Sequence, residues 1–169
     1  MIPAIVKDGN LFVEGGGLAG RFQDLTPPKL SKKMEEIMAG GMLGAVDIEM
    51  AIEKLTCSFT LYEWNKEILK QYGVVGNASI GLRFMFALER DDASGEVTPV
   101  EIVFRGKIQE LDFNTFKKGD MTPLKVEMTG SYYRIDFDGE TLIEIDMVGM
   151  VQKVNGVDVL ADRRAAIGV

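Results

Sequence analysis

One dipeptide limits what this chain can fold into more than any other feature. Asp138-Gly139 stands between two alternating runs, YYRIDF (132–137) and ETLIEIDM (140–147). A type I′ turn needs positive φ at both centre positions, and Asp-Gly is among the few pairs that supply it. Alternation of apolar and polar residues on either side specifies strands, because successive side chains point to opposite faces. An antiparallel hairpin is therefore expected near the C-terminal end. A second hairpin is read upstream. Ile80, Leu82, Phe84, Phe86 and Leu88 share one parity, and Val100, Ile102, Phe104 and Ile108 mark another long strand beyond the loop RDDASGE. TCSFTLYEW (56–64) sets Cys57, Phe59 and Leu61 against Ser58, Thr60 and Tyr62, and residues 124–128 begin a further strand region.

Helical signals are few. Asn65 can cap a short helix, KEILKQY, ended by Gly73. Residues 158–167 (DVLADRRAAI) read as a C-terminal helix, with Asp158 as the cap, Arg163 and Arg164 suited to the dipole, and Gly168 as the stop. Residues 1–28 are Gly- and Pro-rich and read as an extended N-terminal arm or loop, a candidate for crossing to neighbours; Pro27-Pro28 forbids a helix there. Residues 29–38 suit either a strand or a helix. Residues 47–55 are equally two-sided, since Ile48, Ile52 and Leu55 fit a period of 3.6 while residues 46–53 fit a period of two. The sum is mainly β, a small β-barrel or sandwich with one or two short α-helices, in a single domain over 1–169.

Composition narrows the function. The net charge is −7, against a general nucleic-acid binder, which needs clustered Lys and Arg to displace counterions. The chain has no histidine, the residue on which most acid–base and metal schemes lean. A single Cys57 can neither staple the fold nor build a thiolate metal site. No run approaches 18 apolar residues, and the opening MIPAIVKDGNLF shows no signal peptide.

Individual motifs are weak carriers of chemistry. GGGLAG (15–20) matches a dinucleotide fingerprint, but RFQDLTPP follows where a helix must open, so a flexible loop is the better reading. DDASGE (91–96) and DFDGE (136–140) gather carboxylates on turns without a full calcium ligand set. Ser58, Ser79 and Ser131 have no histidine partner. Trp64 and the Tyr132-Tyr133 pair suit a ligand platform, but aromatics next to strand ends are more often core or interface. No cofactor or metal is expected.

The stretch AGGMLGAVDIEMAIE (39–53) points instead to surfaces. Gly40, Gly41, Met42, Leu43 and Gly44 make a turn that carries two large apolar side chains, which marks contact with another chain or a fold back onto its own core. Val46, Ile48, Met50 and Ile52 share one parity, and Asp47, Glu49 and Glu53 the other.

Two blocks resemble the major tail tube protein of contractile-tailed bacteriophages, shared with phage-tail-like bacteriocins. One is LTPPKLSKKMEEIMAGGMLG (25–44), where P-K-L-x-x-K runs into G-G-M-x-G. The other is YYRIDFDGETLIEIDMVGMVQKVNGVDVLADRRAAIGV (132–169), with its E-I-D run, N-G-V-D turn and R-A-A-I-G ending. GKIQELDFNTFKKGD (106–120) adds a weaker match. The resemblance implies a structural, non-enzymatic subunit in the virion tail, assembled in the host cytoplasm as stacked hexameric rings. Its partners would be further copies of itself and the sheath, tape-measure and baseplate proteins, and DNA would pass the lumen without specific binding.

On that basis residues 29–56 form a long hairpin, with 29–38 and 46–55 as its strands. The apolar parity packs on the barrel, and Asp47, Glu49 and Glu53 face the lumen, where like charge repels phosphate. Gly40, Gly41, Met42, Leu43 and Gly44 make the inter-ring contact. A bacteriocin tube, a type VI-like secretion tube, a small β-barrel ligand-binding protein and a carboxylate-based enzyme are the alternatives.

Overall fold

The structure, a computed structural model, describes residues 2–75 and 79–169, so Met1 of the expected arm lies outside it. Twelve strands and two short α-helices follow in order among the described residues: β1 (Ala4–Val13), β2 (Gly16–Gly17), β3 (Phe22–Thr26), β4 (Lys32–Ile37), β5 (Val46–Ile52), β6 (Leu55–Leu61), α1 (Lys66–Lys70), β7 (Ile80–Arg90), β8 (Val97–Asp112), β9 (Leu124–Phe137), β10 (Glu140–Asp146), β11 (Val151–Val154), β12 (Val157–Asp158) and α2 (Ala161–Ile167).

The main sheet runs β12-β11-β10-β9-β8-β7-β1-β2, and β6 with β3 branches from β9. All pairings are antiparallel. No pairing among the described residues joins the ends, which corrects the expected barrel to an open sheet folded over one core. The reason lies in β9. Its first half pairs with β6, from Leu61↔Leu124 to Leu55↔Gly130, and its second half pairs with β10, from Tyr132↔Asp146 to Phe137↔Glu140. β8 lines the other side of both halves.

The fold-over has a local cause. The β8–β9 register jumps between Arg105↔Tyr132 and Gly106↔Gly130, leaving Ser131 as the extra residue. A bulge bends its strand, and it reverses which parity faces inward. Leu124, Val126 and Met128 are buried before it, and Tyr133 after it. Glycine is required on both strands here: a Cβ on Gly106 would stand 2.7 Å from Gly130 Cα, and one on Gly130 would stand 2.8 Å from Phe104 Cε2 and nearer still to Phe104 Cζ.

The core gathers Leu11, Leu55, Phe59, Leu61, Ile80, Leu82, Phe84, Phe104, Leu124, Val126 and Met128, each almost fully buried. Their alternation on β6, β7 and β8 is the one the sequence displays. Asp138 and Gly139 adopt φ of 51° and 79°, both positive as the type I′ turn requires. Asn65 Oδ1 accepts from Glu67 N–H at 2.9 Å and Ile68 N–H at 3.3 Å, capping α1.

Residues 4–13, read as part of an extended arm, are strand β1, paired along β7 from Ala4↔Arg90 to Val13↔Leu82. A register shift between Val6 and Asp8 hides the alternation, and the core supplies the rest by burying Leu11. Asp158 is a second difference. It lies in β12 and does not cap α2, which begins after Leu160. Its carboxylate instead accepts from Leu160 N–H at 3.1 Å and from Arg164 Nη2 at 2.5 Å, tying the helix to the sheet end. Gly168, at φ 78°, ends α2 in the left-handed conformation.

Candidate assembly surfaces

The β4–β5 hairpin is a separate two-stranded sheet. It continues a longer strand pair, since β3 leads into β4 through Pro27-Pro28 and β5 leads into β6 through Glu53-Lys54. The helical alternative for both segments is thereby excluded. Every residue of β4 and β5 except Ile52 is exposed. The apolar residues Val46 and Ile48 are therefore exposed rather than packed on the body of their own subunit, contrary to the expectation above; Met50 borders a groove beside Met147 and Met150, and Ile52, at the hairpin's base, touches the core. An isolated two-stranded ribbon is marginal in water and needs a partner to hold its shape.

Register sorts the two faces. Glu36↔Asp47 and Met34↔Glu49 stand on one face, and Ile37↔Val46 and Glu35↔Ile48 on the other. The shift between Lys33 and Met34 leaves Met50 as an extra residue on β5. Past it the parity reverses, and Glu53, whose N–H donates to Ser31 O at 2.9 Å, falls on the opposite face from Asp47 and Glu49. The three acids read as one row are thus two plus one. Glu36, which the sequence reading missed, joins Asp47 instead. Only strand register could reveal that pairing, because it lies across the turn. Lys32 Nζ meets Glu49 at 2.8 Å, so Glu49 is partly neutralised while Glu36 and Asp47 have no ion pair among the described residues.

The turn at the tip is built from its glycines. Met42 N–H donates to Ala39 O at 3.1 Å, closing a four-residue turn, and Gly41 takes φ 90° at its third position. That is the type II arrangement, which favours glycine there. Gly40, Gly41 and Gly44 have open space around them. Met42 is half-buried, its sulfur facing Ala39 N–H at 3.3 Å, while Leu43 is 109% exposed. A leucine held wholly in solvent at the end of a projecting ribbon has no role in the subunit's own packing.

Other candidate residues are dispersed. Tyr133 is buried in the core and its phenol is raised in pKa by that burial, whereas Tyr132 lies under the Arg105 guanidinium at 4.8 Å. Trp64 sits elsewhere, edge-on to Phe113 at 5.2 Å. GGGLAG forms the β1–β2 turn and the approach to β3, with Leu18 buried. Asp92 accepts Ser94 N–H at 2.9 Å, so DDASGE is a self-satisfied turn. Among the described residues, no three His, Cys, Asp or Glu side chains converge as metal ligands.

The comparisons agree with a surface-borne role. The profile of the phage tail tube protein FII family matches residues 3–168. The tail tube protein of Escherichia phage P2 is 33% identical over 174 aligned positions, covering 99% of both chains. The major tail tube protein of Serratia phage KSP20 is 29% identical, covering 96% of this chain and 94% of its own. The fold is also that of a chain in the extended-state sheath/tube terminator of an extracellular contractile injection system, at TM-score 0.61, 10% identity, and coverage of 80% of this chain and 98% of that one. The chain belongs to the phage tail tube protein FII family, a family of structural, non-enzymatic tail tube proteins.

Proposed function

We propose that six copies of this chain close into a ring, that rings stack head to tail into a hollow tube, and that the β4–β5 hairpin is the main assembly element. One observation carries the reading: a ribbon with Met34, Ile37, Met38, Leu43, Val46, Ile48 and Met50 exposed projects from a body whose core is already complete. Apolar area of this kind on a subunit's surface is a contact surface for other chains. The open edges of β4 and β5 carry unpaired backbone groups that template further strands. Closing a ring satisfies those edges laterally, while a head-to-tail contact propagates without limit.

In this arrangement the face of Ile37, Val46 and Ile48 packs on neighbouring subunits, and the face of Glu36, Asp47 and Glu49 lines the channel. Glu53 sits at the hairpin's base on the packed side. Carboxylates along the channel repel the phosphates of passing DNA, so the genome slides without adhering, over a range of about 8 Å at physiological salt. Residues 40–44 meet the next ring. The sheath surrounds the tube, the tape-measure protein occupies it during assembly, and the baseplate nucleates it.

Negative-stain electron microscopy of concentrated protein, with and without tail baseplates as nuclei, tests the assembly. Six-fold rings or hollow tubes are the expected result. Subunits that stay monomeric on added baseplates would overturn it.

A further inference from the structure

We propose that the hairpin tip of one copy seats on an aromatic loop of a copy in the next ring, formed by residues 112–123 together with Trp64; this rests on the stacked-ring reading above. The loop joins β8 to β9 and is held in one shape. Asn114 Nδ2 donates to Pro123 O at 2.6 Å, closing the loop's ends. Trp64 Nε1 donates to Thr122 O at 3.1 Å, and its ring meets Phe113 at 71°. On this rigid base Trp64, Phe113, Phe116 and Met121 are all exposed, Phe116 by 77%. Rigid, exposed aromatics are what protein interfaces use as anchors, because little entropy is lost when they are covered.

The occupant follows from where the loop lies. Leu61 pairs with Leu124 at the loop's foot, and Leu55 pairs with Gly130 where the hairpin leaves the body. The tip and the aromatic loop therefore stand at opposite ends of one continuous strand pair. A head-to-tail contact must join two different surfaces at opposite ends of the subunit. These two are complementary: Met38 and Leu43 are exposed apolar side chains, and the loop offers apolar rings to receive them. Charge agrees. Glu36 flanks the tip without an ion-pair partner among the described residues, and Lys118 on the loop is likewise unpaired. A second copy of this chain is the partner that carries both halves.

Disulfide trapping tests the contact. Leu43→Cys subunits are mixed with Phe116→Cys subunits, assembled on baseplates and oxidised. A disulfide needs the two Cα atoms within about 7 Å, so it reports direct seating. The native Cys57 does not interfere, since burial pushes its thiol up to about 12. Disulfide-linked dimers in the mixture, absent from either variant alone, are expected. Tubes that form without that link would overturn the seating while leaving the ring reading intact; wild-type chains that form no tubes on baseplates would overturn the ring reading itself. Phe116→Ala, at an exposed site, gives a second reading that does not depend on the cysteines. The subunit melts as wild type, and tube elongation slows about tenfold. Elongation at the wild-type rate would also overturn the proposal.

Discussion

Gly130→Ala places a methyl group where the fold has no room for one. Its Cβ would lie 2.8 Å from Phe104 Cε2 and closer still to Phe104 Cζ and the Arg105 carbonyl oxygen. Carbon atoms in ordinary contact stand about 3.5–4.0 Å apart, so the ring must give by about 0.7 Å or more. Phe104 is wholly buried and cannot swing into solvent. Relief must come from moving β8 and β9 apart at the bend, which strains the core on both sides. Overpacking of a tight interior costs about 1–3 kcal/mol, and a clash that includes backbone belongs at about 3 kcal/mol. For a chain of this size that lowers the melting temperature by about 6–12 °C. Differential scanning calorimetry of the free subunit reads it. Gly40→Ala is the control: nothing lies within 4 Å of its Cβ, and the change stays within about 0.5 kcal/mol. Because Leu55, opposite Gly130, starts the strand that leaves the hairpin, the same variant also loses tube assembly. A Gly130→Ala melting temperature within about 1 °C of wild type would refute the packed-corner argument.

Three further outcomes are expected. Leu43→Asp leaves the subunit's melting curve unchanged, since the side chain touches nothing in its own chain, but blocks ring stacking; tubes of normal length from this variant would remove the tip from the contact. Asp47→Lys combined with Glu49→Lys leaves tube formation intact and slows genome ejection in a single-virion release assay, and unchanged ejection kinetics would take these acids out of the channel. Asp158 titrates below the usual carboxylate range, first because Arg164 donates to it; desolvation opposes that next, and the Leu160 N–H adds a smaller lowering. A depressed pKa supports the fold above the ordinary Asp value, near pH 4, and that support fades as pH falls through the folded value. The α2 resonances should therefore shift in acid in the wild type and show no such step in Asp158→Asn; an identical acid profile in the variant would exclude the Asp158–Arg164 pair as the tether.

What the sequence discloses and what it hides divide along local and non-local lines. The Asp138-Gly139 turn, the alternation of Ile80, Leu82 and Phe84, and the Asn65 cap are set within a few residues, and each has its expected structure. β1 was hidden because Lys7, Asp8, Gly9 and Asn10 interrupt its apolar pattern; pairing with β7 makes the strand. The open sheet was hidden for a similar reason. Gly106 and Gly130 are 24 positions apart, and neither shows alone that the two meet across a bulge. The hairpin residues were legible as an apolar turn beside acids, but the extra residue at Met50 is a property of register. It moves Glu53 away from Asp47 and Glu49, while the register running down from the turn sets Glu36 against Asp47. The exposure of Val46 and Ile48 was illegible because one parity of apolar residues looks the same whether it packs on its own core or on another chain.

Hydrogen–deuterium exchange across residues 32–52, compared between free subunits and assembled tubes, shows whether the hairpin is what neighbouring subunits cover. Fast exchange is expected in the free subunit, because the ribbon's strands are exposed and their outer edges open, with strong protection in the tube, where neighbours cover it. The core amides of β6 and β9 would be protected in both states. Hairpin exchange that is equally fast before and after assembly would show that the ribbon stays uncovered, and would contradict the assignment of this hairpin as the element that builds the tube.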